Sequence, residues 1–206
     1  MNILSKTEQL VLRRFTNADA QNLFGLDNDA DVMRYINGGT PTSFEVIQNE
    51  LLPQFVRYDE HLPMFGFFAL MPNAIQHEMT MQRDATSKFF GWVSLRLGDQ
   101  DQREAQLGYR LHKAAWGKGY AVEAARILID LGFSDSPIER IVATTYEENL
   151  GSQRVMEKVG MTLVRRFRIM TDDLVNADTH HAFTLDLWDG DDLEYALTRM
   201  EWAAKR

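Results

Sequence analysis

The chain has 206 residues, 45% of them hydrophobic and 11% aromatic, which is enough to bury a core, and no cysteine for a disulfide, a thiolate metal site or a cysteine nucleophile. A net charge of −8 argues against a broad nucleic-acid surface, so any bound anion must find a local basic patch. No apolar run approaches the roughly 18 residues of a membrane span, and the start MNILSKTEQLVLRRF lacks a signal-peptide pattern. These features imply one soluble cytoplasmic domain over residues 1–206, with neither a membrane nor nucleic acid as partner.

Residues 8–15 (EQLVLRRF) alternate as a first strand, and Thr16, Asn17 and Asp19 offer caps ahead of a helical pattern that runs to Asp27. A second helix is expected at 29–36. Ser43 caps a third, in which Phe44, Ile47, Leu51, Phe55 and Tyr58 recur at three- and four-residue intervals. Residues 65–70 (FGFFAL) and 89–97 (FFGWVSLRL) read as strands on either side of a polar loop at 73–87. In 104–111 (EAQLGYRL), Ala105, Leu107, Tyr109 and Leu111 share one face, and Glu104, Gln106, Gly108 and Arg110 share the other.

A glycine-rich stretch, AAWGKGYAVEA, leads into a helix from Ala121 with an expected stop at Gly132. A buried strand at 140–145 (RIVATT) and a helix at 150–159 follow. Strands are then expected at 161–169, 180–188 and 193–199, with a turn at Asp189, Gly190 and Asp191 before the last. The pattern is a mixed α/β domain without repeats or linkers.

Several motifs fail on spacing. A dinucleotide fingerprint needs Gly or Ala where Val122 stands and a shorter approach than the five residues between Leu111 and Gly117, and no Walker sequence occurs. His77-Glu78 lacks the second histidine of a zinc-protease helix, Gly132-Phe133-Ser134-Asp135-Ser136 lacks the last glycine of a nucleophile elbow, and a strand would turn His180 and His181 to opposite faces. No metal is expected. The glycine loop itself reads either as an ordinary flexible loop or as a phosphate cradle, because a helix starting near Lys118 or Gly119 leaves its first amides free and its N-terminus partly positive. No acid occurs from Tyr109 to Val122, whereas Arg110, His112, Lys113 and Lys118 form a local basic run.

The segment LGYRLHKAAWGKGYAVEA, with Asn149-Leu-Gly-Ser152-Gln-Arg154-Val-Met-Glu-Lys158-Val-Gly160-Met161 and the ending Tyr195 to Trp202, resembles the GCN5-related N-acetyltransferases (GNAT), in particular the branch of RimJ/RimL ribosomal-protein N-terminal acetyltransferases. The match in element order spans residues 8–202. The resemblance implies a mostly antiparallel central sheet of about six to seven strands, splayed between the fourth and fifth and flanked by helices. It also implies an acetyl-CoA co-substrate and a primary-amine acceptor, either a peptide or protein N-terminus or a small molecule, on a monomer or homodimer.

In the family, Q/R-x-x-G-x-G/A holds the coenzyme A pyrophosphate on backbone amides. The corresponding residues are Trp116, in the Gln/Arg position, Gly117, Lys118, Gly119, Tyr120 and Ala121. The strand through Tyr109 and Leu111 would offer main-chain groups to the pantetheine arm. Asn149 and Arg154 would contact the cofactor, and Ser152 would lie near the thioester sulfur, because Met156 stands where many members carry a tyrosine acid. Asn149 also reads simply as a helix N-cap with Ser152 in the first turn.

Gln106 occupies the frequent general-base position and cannot take a proton. Glu104, about 7 Å along the same strand face, or a carboxylate near Thr171, Asp172 or Asp173, remain as candidates, each equally readable as a solvated acid. At pH 7 about one α-amine in seven is neutral against about 0.04% of lysine amines, deprotonation costs of roughly 1 and 4.6 kcal/mol. A weakly placed base therefore suits an α-amine or a small low-pKa amine. Residues 40–58 and the 73–87 loop would shape the acceptor mouth. With Gln106 and Met156 in these positions, a noncatalytic acyl-CoA-binding or regulatory module is the competing reading.

Overall fold

The computed structural model describes residues 2–57, 63–73, 89–98, 101, 103–168 and 190–206. Eight strands, β1 (Ile3–Lys6), β2 (Leu10–Arg14), β3 (Gly66–Pro72), β4 (Gly91–Leu97), β5 (Glu104–Leu111), β6 (Arg140–Tyr146), β7 (Thr162–Phe167) and β8 (Asp192–Thr198), form one sheet in the order β1-β2-β3-β4-β5-β6-β8-β7. Every pairing is antiparallel except that of β5 with β6. The described sheet has eight strands against the six to seven that the resemblance implies, and β1 is not among the strands expected from the residues. Of the expected features, the strand at 180–188 with His180 and His181, the loop after Asn73 with His77 and Glu78, and Tyr58, Thr171, Asp172 and Asp173 lie outside the described residues.

Period-two alternation gives the sheet two apolar faces. On one, Leu12, Phe68, Val93, Leu107, Ile141 and Leu197 pack under α4 (Tyr120–Asp135), whose Ala124, Ala125, Leu128, Ile129 and Phe133 form the buried stripe. The short helix α5 (Leu150–Lys158) joins the same face through Met156. On the other, Phe67 and Ala69 meet α1 (Ala20–Asp27), α2 (Ala30–Asn37) and α3, which runs from Phe44–Val46 through a π-helical turn at Ile47–Leu51 to Leu52–Arg57. Phe55 stacks on Phe67 at 3.7 Å, and both meet Trp92 edge-on. As expected, Ser43 caps α3 by accepting from the Val46 amide at 3.3 Å.

Gly132 does not stop α4, which continues to Asp135. A Cβ there would lie 2.7 Å from Leu95 Cδ2 and 3.1 Å from Ile138 Cδ1. The glycine brings helix and sheet together, and the end comes at Ser136, whose hydroxyl donates to the Gly132 carbonyl at 2.6 Å. The last strand ends at Thr198, which opens α6 (Arg199–Ala204) with a capping box closed by Glu201.

Arg13 and Asp19 are buried together between β2 and the helical turn at Asn17–Asp19. Arg13 donates from Nη1 and Nη2 at 2.8 and 2.6 Å to the two carboxylate oxygens. Burial alone would raise the Asp19 carboxyl, but bonds from Arg13 and the Thr16 amide hold it below its ordinary value.

Candidate active site

β5 and β6 pair only at Glu104↔Arg140, Ala105↔Ile141 and Gln106↔Val142. Beyond these rungs β5 follows β4 up to Gly91↔Leu111, while β6 follows β8 up to Tyr146↔Asp192. The two strands are each held by their outer neighbour, so their inner edges diverge and leave a slot lined by main-chain N–H and C=O groups. Arg140 locks the closed end by bridging Glu104 and, at 2.8 Å, Glu194.

The glycine loop stands at the open end, directly after Leu111. The Trp116 indole N–H turns back to donate to the Leu111 carbonyl at 2.7 Å, pinning the loop to the strand. Gly117 and Gly119 have φ of +73° and +85°, and nothing lies within 4 Å of a Cβ built on either. The glycines therefore serve a left-handed backbone and leave their outer side clear. Within α4 the Glu123 amide donates to the Gly119 carbonyl at 3.0 Å; the amides of Tyr120, Ala121 and Val122 precede it and have no carbonyl one turn back along the helix. Tyr120 fixes this first turn by stacking on Phe90 at 4.7 Å. The arrangement suits a diphosphate: converging amides, a helix N-terminus and an exposed Lys118.

The basic run that the sequence places beside this loop is largely neutralised by tertiary contacts. Arg110 pairs with Asp27 at 2.6 Å, and Lys113 with Asp31 at 2.5 Å. Burial lowers the His112 pKa against the raising effect of Asp29 and Asp27, which favours neutral imidazole. Of the three lysine and arginine residues in that run, only Lys118 has no acid partner among the described residues. α1 and α2, distant in sequence, deliver these acids to this end of the sheet.

Ser152 lies in the first turn of α5, where its amide donates to the Asn149 side-chain oxygen at 3.1 Å. The N-cap reading of Asn149 is therefore correct. The Tyr109 hydroxyl lies 2.8 Å from Ser152 Oγ and 3.0 Å from the Ser152 carbonyl. When the phenol donates to Oγ, the serine proton is free to point elsewhere. Burial raises the Tyr109 pKa well above its usual value, against the lowering effect of Ser152, so the phenol stays protonated and acts as a donor. Arg154 is exposed one turn along α5, and Met156 is buried in the core.

A model of the acetyltransferase (GNAT) domain matches residues 9–162. The chain belongs to the GNAT family. It is 28% identical over 155 residues to the uncharacterized N-acetyltransferase YnaD of Bacillus subtilis, covering 75% of this chain and 80% of that one. A GNAT-family acetyltransferase from Bacillus anthracis shares the fold with a TM-score of 0.73 and 24% identity, over 97% and 99% of the two chains. RimL, a ribosomal L7/L12 α-N-protein acetyltransferase in complex with coenzyme A, superposes with a TM-score of 0.71 at 16% identity, over 96% and 98%.

This GNAT chain is accordingly an N-acetyltransferase with acetyl-CoA as acyl donor, and its slot and cradle fit that donor. When bound, acetyl-CoA supplies a thioester activated towards attack. Among the described residues no group of three or more acidic or histidine side chains could hold a metal ion, and no helix is long and apolar enough to cross a membrane. Of the expected catalytic residues, Ser152 stands beside β5, whereas Glu104 is engaged by Arg140 at the closed end of the slot. Gln106 is likewise held, accepting from Arg96. Two contacts escaped sequence reading: the Tyr109 hydroxyl on Ser152 and the Trp116 indole on the Leu111 carbonyl. The strand face of Tyr109 was legible, shared with Ala105, Leu107 and Leu111, but the contact of its hydroxyl with Ser152 was not.

Replacing Gly119 with Val places a β-branched residue at positive φ in the cradle. The KM for acetyl-CoA is expected to rise about tenfold or more, a cost of at least ~1.4 kcal/mol, with little change in the acceptor KM. Steady-state kinetics with each substrate varied in turn checks this.

Proposed function

We propose that the chain acts as a single cytoplasmic domain of the RimJ/RimL-like branch and acetylates an α-amine or another low-pKa primary amine by direct transfer in a ternary complex. The observation that carries the reading is the slot between β5 and β6 opening onto the glycine cradle, with Ser152 held beside it by Tyr109. Strands from both ends of the chain share one sheet, which supports a single domain.

In this reading the amides from Trp116 to Ala121 and Lys118 bind the diphosphate, the β5 backbone at Tyr109 and Leu111 orients the pantetheine arm, and Asn149 and Arg154 border it. Backbone donors polarise the thioester carbonyl. Ser152 supplies a hydrogen bond to the departing sulfur, and the phenol behind it fixes the serine hydroxyl instead of giving up its own proton. Holding donor and amine together supplies the proximity part of the rate enhancement. The net charge of −8 suits a cationic acceptor.

The test is CoA release with acetyl-CoA and a panel of acceptors: peptides with free N-termini, the same peptides N-terminally blocked with an internal lysine, and spermidine. Turnover is expected with free α-amines, and acetylation of lysine alone would refute the preference. Failure of every acceptor alongside tight acetyl-CoA binding would favour the noncatalytic acyl-CoA-binding module. Ser152→Ala is expected to lower kcat roughly 10- to 100-fold with an unchanged acetyl-CoA KM, and Tyr109→Phe to lower it severalfold.

A further inference from the structure

Asp192 opens β8 with only 8% of its surface exposed. No hydrogen bond or ion pair reaches its carboxylate from any described residue. Loss of most of its hydration without a protein partner disfavours the bare carboxylate and favours a bound proton or a cation arriving from solvent. Register places it between two aromatic residues, Tyr146 at the end of β6 and Phe167 at the end of β7.

The charged groups around it are already matched to one another. Arg165 of β7 pairs with Glu194 at 2.8 Å. Arg166 pairs with Glu147 beyond β6 and, at 2.6 Å, with Asp191, and Arg168 reaches Asp191 at 3.2 Å. None of these cations answers Asp192. Burial, with a smaller contribution from the Asp191 charge, pushes its carboxyl up to about 6. The Tyr146 phenol is raised by burial and then by Asp192 itself, so it remains a neutral donor.

Asp192 belongs to the sheet face that carries Gln106, Val142 and Glu194, opposite the face covered by α4 and α5. It stands one strand, about 5 Å, beyond the β6 edge of the slot. An amine approaching the slot from the side away from α4 passes this carboxylate.

We propose that Asp192, flanked by Tyr146 and Phe167, seats the ammonium group of the acceptor and is the base that removes its proton. The proposal rests on the acetyl-transfer reading above. One proton passes from R–NH3⁺ to the carboxylate, giving R–NH2 and a carboxyl group. The nitrogen lone pair then forms the C–N bond as the C–S bond breaks, a second N–H proton goes to the departing sulfur, and the carboxyl returns its proton to water. The products are the amide, the CoA thiol and one H⁺. A carboxylate and two rings suit an alkylammonium. A base near 6 deprotonates an α-amine uphill by a factor of roughly 60 and a lysine amine by roughly 25,000, so proton transfer to it is practicable for an acceptor of low pKa and poor for lysine.

Two measurements test the proposal on the full chain saturated with CoA. Carboxyl-carbon NMR of Asp192 is followed against pH with n-butylammonium and with butanol. Butylammonium is expected to lower the Asp192 titration midpoint by about one unit, a tenfold preference of the ammonium for the ionised carboxylate, and butanol to leave it in place. A midpoint indifferent to butylammonium overturns the proposal.

The second measurement is Asp192→Asn with an N-terminally free peptide. Its kcat/KM is expected to fall about 100-fold at pH 7 and to recover to within tenfold at pH 9, where the amine is already neutral, with Tm unchanged or raised. Activity within twofold of wild type, or a Tm lowered by more than about 5 °C, marks another role and overturns the proposal. If wild type turns over no acceptor, the acetyl-transfer reading is what fails, and the butylammonium titration still decides the amine seat.

Discussion

Arg13→Ala is expected to destabilise the fold by about 3 kcal/mol at pH 7, the lower end of the range for breaking a buried ion pair. The side chains of Arg13 and Asp19 are 7% and 4% exposed, so removing the guanidinium strands a carboxylate away from water. The effect stays at the lower end because Asp19 keeps bonds from the Thr16 amide at 2.9 Å, the Thr16 hydroxyl at 3.0 Å and the Asn22 amide at 2.9 Å. The pH dependence runs in a defined direction. In wild type the Asp19 pKa is lowered, so the stabilisation it brings is complete above the unfolded value near 3.9 and disappears as pH falls through the folded value. In the variant the largest of the effects that counter desolvation is gone, so the folded carboxyl holds its proton to higher pH than in wild type. The stability gap between the two proteins should therefore close as pH drops below about 4. Urea unfolding at pH 7 and at pH 3 reads both the size and the direction, and a gap that widens in acid would contradict the ion-pair account.

Gly91→Ala should be more damaging still. Gly91 has φ of +138°, and a Cβ there would lie 2.1 Å from the Arg110 carbonyl oxygen and 2.6 Å from Leu111 Cα, both backbone atoms. A residue in that region costs about 1–3 kcal/mol before any clash, and relief of the clash requires β4 to part from β5 at the Gly91↔Leu111 rung. A total above about 3 kcal/mol corresponds to a fall of roughly 10 °C in Tm for a chain of this size. The same rung anchors the strand that lines the slot, and the Leu111 carbonyl receives the Trp116 indole. Protection by acetyl-CoA in a melting experiment should therefore weaken as well. Gly117→Ala is the contrast: its φ of +73° carries strain but no atom lies within 4 Å, so the fold should survive. A Gly91→Ala protein that melts within about 2 °C of wild type would remove the steric argument.

Sequence legibility followed the range of the interactions. The strands from 65 to 146 and the helix caps Ser43 and Asn149 depend on alternation and on bonds within one turn, and these were readable. The left-handed turn at Gly117 and Gly119 was readable too, because positive φ at two nearby glycines is a local property. Gly132 misled, since a glycine that stops a helix and one that admits a leucine against it look alike in one dimension. The basic run misled for the matching reason: Asp27 and Asp31 are more than eighty residues from Arg110 and Lys113. α6 could have been found, because Thr198 and Glu201 spell a capping box. Asp192 could not, since burial without a counter-ion is decided by three strands at once.

The short parallel contact of β5 with β6 bears on how long the protein lasts in a cell. Three rungs hold the two halves of the sheet in line, and a donor molecule seated in the slot would add to them only in the folded state. At a hundred times its dissociation constant such a ligand contributes about 2.7 kcal/mol. Resistance to proteolysis, and with it steady-state abundance, should then follow the supply of acetyl-CoA, so that a starved cell keeps less of the enzyme as well as using it less.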